Sequence, residues 1–255
     1  MASNLKASDL VKSSWDFFSK KLNKLWPLAL VFALPAILGA FSNSRSNQLK
    51  GNFDNFSDWS SYTETTFGVS LATIGVAVVL FLVVAAIYTA IVYSGGIKLV
   101  LDSLRGKAAD FSPGEIFGAG IGYLGKFIVL SIFGGAIVVA GFILLVVPGL
   151  IALFFISLAW FFMVDKNMDA GESLSASYKT VKANAGSVFS VYVLMFLITI
   201  AASIVSTSVF GADVWVIRVL EAAFQGFVSL FSLIVGAKLY LALMDSKPHK
   251  PAHDA

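Results

Sequence analysis

FSPGEIFGAGIGYLGKFIVLSIFGGAIVVAGFILLVVPGLIALFFISLAWFFMVDKNMDAGESLSASYKTVKANAGSVFSVYVLMFLITIAASIV, residues 111–205, is the stretch whose reading decides the fold. Two segments headed by helix-capping residues, at Ser112 and Asp169, alternate in it with long apolar runs. Pro148-Gly149 reads as the turn of a hairpin between two of those runs. Apolar runs of about 20 residues exceed what a globular core helix uses and match the ~30 Å hydrocarbon core of a bilayer. Lipid offers an open backbone no hydrogen-bond partner, so runs of this length must be helical. The stretch predicts an all-α, polytopic integral membrane protein.

The composition of the whole chain agrees. Of its 255 residues 58% are hydrophobic and 13% charged, with a mean hydropathy of +0.85. A soluble domain carries about twice that charged fraction. The absence of cysteine excludes disulfides, thiolate chemistry and Cys-based metal sites. The two histidines, His249 and His253, sit together in the C-terminal tail, so the spans hold no Ser-His-Asp set and no metal or cofactor site is expected. No phosphate-cradling G-x-x-x-x-G-K-[ST] occurs either. The net charge of +3 comes from basic residues at span ends, which argues for topology-setting charge and against a nucleic-acid partner.

Working outward, the runs predict six transmembrane helices at about 25–41, 67–92, 123–147, 150–164, 187–209 and 214–244, forming one membrane domain over 1–245. Leu10, Val11, Trp15, Phe18 and Leu22 recur at helical spacing over 7–24, with Lys12, Lys20, Lys21 and Lys24 between them. That is an amphipathic helix suited to a membrane surface, capped by Ser8 or Asp9. Pro35 is expected to kink or end the first span. Residues 42–66 form the longest polar connection, as an ordered cap or a loose loop, and 246–255 a disordered tail. Ser112-Pro113-Gly114-Glu115 and Asp169-Ala170-Gly171-Glu172 both read as capping boxes. Gly118 and Gly122 fit the small-residue pattern that brings helices together. Capped amphipathic segments at Ser8, Ser112 and Asp169 each precede two spans, which suggests a threefold repeat of amphipathic helix and two spans. Fifteen of the eighteen Lys and Arg lie on one side of this arrangement. The positive-inside rule then predicts a multi-pass protein of the inner or plasma membrane, with both termini and all three amphipathic helices in the cytoplasm.

From Val146 the chain reads V-V-P-G-L, then a span ending in Asp165, then Gly171-Glu172-Ser173-Leu174-Ser175-Ala176-Ser177. Together with Phe111-Ser112 and Glu115, this resembles the prokaryotic six-span membrane families related to the membrane domain of glycerophosphoryl diester phosphodiesterases, including the YciC-like group. Ser173 stands where those families commonly carry Ala. The resemblance covers about 111–197 and implies a six-span fold. Its matching residues read as a turn, two caps and a packing serine. The phosphodiesterase activity belongs to a soluble barrel that this chain has no residues to encode.

Ionisable and polar residues inside spans are the candidates for function. Arg218, Glu221, Gln225, Ser229, Ser232 and Gly236 form one stripe on span six, and Thr199, Ser203 and Ser206 a weaker one on span five. Facing each other, the stripes would line a polar groove or receive a lipid headgroup; alternatively they form a packing seam. Lys12, Lys20, Lys21, Lys24, Lys126, Lys179 and Lys182 are expected to meet anionic lipid at the cytoplasmic surface, each contributing about 1 kcal/mol. The reading favoured is a non-enzymatic, lipid-interacting or envelope-organising membrane protein, and the alternative is a transporter or channel using the groove between spans five and six. Membrane lipids are the expected partners, with a second copy of the chain or another membrane protein left open.

Overall fold

The computed structural model describes residues 6–49, 71–107, 109–210 and 214–245. The aromatic-rich part of the 42–66 connection from residue 50 onward and the tail from 246 lie outside the described residues. All the regular structure among the described residues is helical: α1 Ala7–Leu49, α2 Leu71–Leu104, α3 Pro113–Ile121, α4 Leu124–Leu144, α5 Val146–Ile156, α6 Ala159–Lys166, α7 Ala170–Ala183, α8 Ala185–Phe210 and α9 Trp215–Asp245. Six helical stretches are long and apolar enough to cross a membrane, the fourth built from α5 and α6 together. The chain is a multi-pass membrane protein by this measure. Large apolar side chains over Val76–Val84 of α2 stand 48–64% exposed on every face of the helix. In water such a surface would be untenable; in hydrocarbon it costs nothing.

The first unit departs from expectation. Residues 7–24 are not a separate surface helix; they continue into the first span as one 43-residue helix, roughly 65 Å long. Ser8 and Asp9 lie inside its first turn, where Lys6 supplies the carbonyl for the Asp9 and Leu10 amides. Pro35 does not end it. Its ring removes the N–H that would bond the Val31 carbonyl, and the Tyr88 hydroxyl of α2 donates to that carbonyl instead, at 2.6 Å. A neighbouring span thus satisfies the group that proline frees. The helix also continues to Leu49, so the first residues of the expected polar connection are helical.

One side of α1 explains why the amphipathic segment stands up rather than lying flat. Leu10, Ser14, Phe18, Leu25, Leu28 and Ala29 are buried, with spacings of three, four and seven residues that keep them on one face. That face lies antiparallel along α9. Trp15 meets Phe231 edge-on at 5.9 Å, Phe18 meets Phe231 at 5.9 Å, and the Lys238 ammonium donates to the Ser13 carbonyl. The aromatic side chains expected to dip into lipid are therefore shared between lipid and α9.

Helix α3 packs on α2 through different glycines from those expected. A Cβ on Gly118 or Gly122 would meet nothing within 4 Å, whereas one on Gly95 or Gly120 would collide with backbone of the facing helix. Ile116 and Gly120, four apart, are the buried face of this short helix, and 118 and 122 point away. The Ser94 hydroxyl, bonded to the Ala90 carbonyl, also reaches the Gly120 carbonyl at 3.2 Å across the contact. Ser112 takes the N-cap position with Pro113 after it, but the expected capping box with Glu115 is not formed. The Ser112 amide that Glu115 would have accepted already donates to Asp110 at 3.1 Å. At the third segment the box is present: Glu172 accepts the Asp169 amide at 3.2 Å, and Asp169 receives the amide of Glu172.

The α4–α5 hairpin turns at Leu145, three residues before the expected Pro148-Gly149. Leu145 has extended backbone and caps α5, and its own amide bonds Gly141. Pro148 falls within the first turn of α5, where amides have no intrahelical partner to lose. Gly149 serves packing: α4 passes so close that a Cβ on Gly141 would strike Gly149 backbone, and one on Gly149 would strike the Phe142 ring. The fourth span then breaks at Ser157-Leu158, between α5 and α6. Ser177 of α7 fills the break, donating to the Phe155 carbonyl at 2.7 Å and accepting from the Leu158 amide at 3.2 Å. A short helix precedes two long spans twice, at α3 and at α7; in the first unit the short segment is fused to its span.

Candidate functional site

The predicted polar stripe divides into two parts with different surroundings. Near the α8–α9 turn, Arg218 and Glu221 pair at 3.4 Å, and the buried Ser206 hydroxyl donates to Glu221 at 3.3 Å. This end of the stripe is a seam that ties α8 to α9, so the expected groove does not run between spans five and six here. Gln225 is half-buried and Ser229 is exposed, as is Ser203, whose carbonyl accepts the Thr207 hydroxyl at 2.9 Å. Further along, Thr199, Ser232 and Gly236 face a cavity instead.

That cavity, of about 870 Å³, is a cleft between the α4–α5 hairpin and the α8–α9 hairpin. Gly134, Gly135 and Val138 of α4 and Leu150, Leu153 and Phe154 of α5 make one wall. Val191, Met195 and Phe196 of α8 with Val235 and Leu239 of α9 make the other. Exposed Leu150, Leu153 and Phe196 along its walls show that it opens sideways, toward the surrounding hydrocarbon. Tyr93 of α2, Tyr192 of α8, and Ser157, Trp160 and Phe161 from the fourth span form the floor. Trp160 stacks on Phe127 of α4 at 4.3 Å. No charged side chain lines the cleft among the described residues. Its volume lies within the ~300–1,000 Å³ of small-molecule sites, and its mostly apolar lining with a few polar groups has the character of one.

Below the floor, at the end where the charges gather, Asp165 is the hub. Its side chain is only 3% exposed, yet it holds three groups: Arg105 at the end of α2 at 2.5 Å, the Tyr240 hydroxyl of α9 at 2.7 Å, and Lys166 at 3.6 Å. Charge-assisted bonds to both oxygens offset its desolvation. The bond that Arg105 donates to Asp165 raises the arginine above its ordinary range. Tyr240 is itself fixed between the rings of Phe161 and Phe162 at 5.8 and 5.0 Å. The sequence shows Asp165 as a span-ending acid. Its burial could have been suspected only from Tyr240 and Arg105 needing a partner.

The basic residues also divide. Lys12, Lys20, Lys24 and Lys179 are exposed. Lys21 instead donates to Ser103 at 2.8 Å, Lys126 binds the Asn167 carbonyl and lies 3.5 Å from Asp169, and Lys182 donates to Tyr178 at 3.4 Å. Lys21 and Lys126 thus pin separate elements together, whereas Lys182 is exposed and bonds one turn back within α7. No group of three or more His, Cys, Asp or Glu that could hold a metal exists among the described residues. No family model matches the chain, and no curated protein or solved structure matches it.

Proposed function

We propose that this is a non-enzymatic membrane protein of the inner or plasma membrane that binds a lipid in the cleft between its two C-terminal hairpins. The observation that carries this reading is the cleft itself: about 870 Å³ of largely apolar space that opens onto the bilayer. Hydrocarbon surrounds that opening and water does not, so an acyl chain is the occupant at hand. The exposed Lys12, Lys20, Lys24 and Lys179 then meet anionic headgroups on the cytoplasmic side, where the positive-inside rule puts them. The same reading keeps the chain with the six-span families it resembles, the matching Pro148 and Ser177 serving structure. The seam at Ser206, Glu221 and Arg218 weighs against a conduit between spans five and six.

Gly135→Trp tests the reading. Gly135 lines the cleft, and a Cβ added there meets nothing within 4 Å, so the variant is expected to fold and to put the indole into the site. Displacing two or three methylenes at about 0.8 kcal/mol each lowers affinity by roughly tenfold or more. Labelling of α4 and α8 peptides by a photoactivatable acyl lipid should fall by that factor. Equal labelling of the variant and the parent would overturn the proposal. Labelled lipid crossing between leaflets of proteoliposomes, and blocked by Gly135→Trp, would replace binding by transport.

A further inference from the structure

We infer that the lipid of this cleft is a neutral glyceride, of the mono- or diacylglycerol class, and that the Tyr93 hydroxyl donates to its hydroxyl or ester oxygen. The inference rests on the cleft being a lipid site. Charge decides the class. With no Lys, Arg or His among the lining residues, a phosphate drawn into the cleft would be buried without a counter-charge, which is prohibitive. Lys126 is engaged with Asn167 and Asp169, and Lys98 with Asp102. Beneath Phe161 of the floor, Tyr240 packs against the rings of Phe161 and Phe162, and all three side chains are buried.

A pure hydrocarbon would not use the floor. Six hydroxyl-bearing residues line the cleft, Tyr93, Ser131, Ser157, Tyr192, Thr199 and Ser232. Ser157, Thr199 and Ser232 donate to carbonyls of their own helices at 2.7, 2.8 and 3.0 Å, and Tyr192 faces Ser157. Of the remaining two, Ser131 is exposed, while Tyr93 makes no hydrogen bond among the described residues and Phe32 and Phe127 fix its ring edge-on at 6.1 and 6.4 Å. A tyrosine held so firmly in apolar surroundings needs an acceptor for its hydroxyl. Tyr93 lies five residues, roughly 7.5 Å of helix, inward from Lys98, the level at which a glycerol backbone lies beneath the charged surface.

The test uses the purified full chain in nanodiscs with a photoactivatable diacylglycerol. Unlabelled diacylglycerol and phosphatidylglycerol of the same acyl chains serve as competitors. Diacylglycerol should displace the probe at concentrations at least about tenfold lower than phosphatidylglycerol. Tyr93→Phe should weaken diacylglycerol binding by about three- to tenfold, the worth of one hydrogen bond. Its thermal midpoint should not move, because the hydroxyl makes no hydrogen bond among the described residues. Equal displacement by the two competitors, or full diacylglycerol binding by Tyr93→Phe, overturns the inference. If acyl labelling remains sensitive to Gly135→Trp in that case, lipid binding stands and only the neutral class fails. Absence of any cleft labelling by either lipid overturns both.

Discussion

Tyr88 and Pro35 show how much one hydroxyl can decide inside a membrane. Proline is tolerated in α1 because the carbonyl it orphans, that of Val31, accepts from Tyr88 at 2.6 Å. Tyr88→Phe keeps the ring against Phe117 at 5.7 Å and removes only the donor. The Val31 carbonyl is then left without a partner in hydrocarbon, at a cost of about 1–3 kcal/mol. In a Pro35→Ala background the amide of residue 35 can return to Val31, and the same Tyr88→Phe change should cost less than about 1 kcal/mol. Thermal unfolding of the four proteins in one detergent measures the difference. Equal costs in both backgrounds would mean that the hydroxyl does not compensate the proline. The sequence shows Pro35 as a helix breaker and cannot show its remedy, since the donor lies 57 residues from the Val31 carbonyl it bonds.

At the scale of elements, the connection among α2, α6 and α9 depends on Asp165, and its asymmetry can be measured. The Arg105 side chain is 35% exposed and Asp165 only 3%. Removing the arginine leaves a buried carboxylate with one tyrosine hydroxyl and the half-exposed Lys166 at 3.6 Å; removing the carboxylate charge leaves an arginine that water can reach. Arg105→Ala should therefore cost about 3 kcal/mol, and Asp165→Asn, whose amide oxygen still accepts from Tyr240, about half as much. Combining the two should recover most of the arginine loss, since the unpaired charge is gone. Additive losses, read by thermal unfolding, would mean the two side chains act independently. Helix existence at this scale follows from apolar run length, which is why the spans were legible. Helix pairing is not legible in the same way. When every face of a span is apolar and the solvent is also apolar, burial no longer selects one face, so the pattern at Gly118 and Gly122 could not be distinguished from the true contact at Gly95 and Gly120. The break at Ser157 and its plug Ser177 are invisible for a related reason: a serine's partner is set by tertiary placement, not by local pattern.

For the whole molecule, the two hairpins and the cleft between them emerge only when six spans are assembled, and no local signal announces a space that helices fail to fill. The polar stripe on α9 did point toward it, because Ser232 and Gly236 line the cleft, but Arg218 and Glu221 belong to a seam. What the chain does state globally is charge asymmetry, with fifteen of eighteen basic residues assigned to one side. The orientation that follows can be tested cleanly because the protein has no cysteine of its own. Single thiols placed at Ser8 and Ser175 should react with a membrane-impermeant maleimide only after the cell is opened. Thiols at Val147 and Val214, exposed beside the two C-terminal hairpin turns, should react in intact cells. Reversed labelling would invert the protein and give the cleft floor to the outer leaflet. Labelling of Ser8 and Ser175 from opposite sides would instead remove one of the six crossings, and the cleft would lose the pairing of hairpins that encloses it.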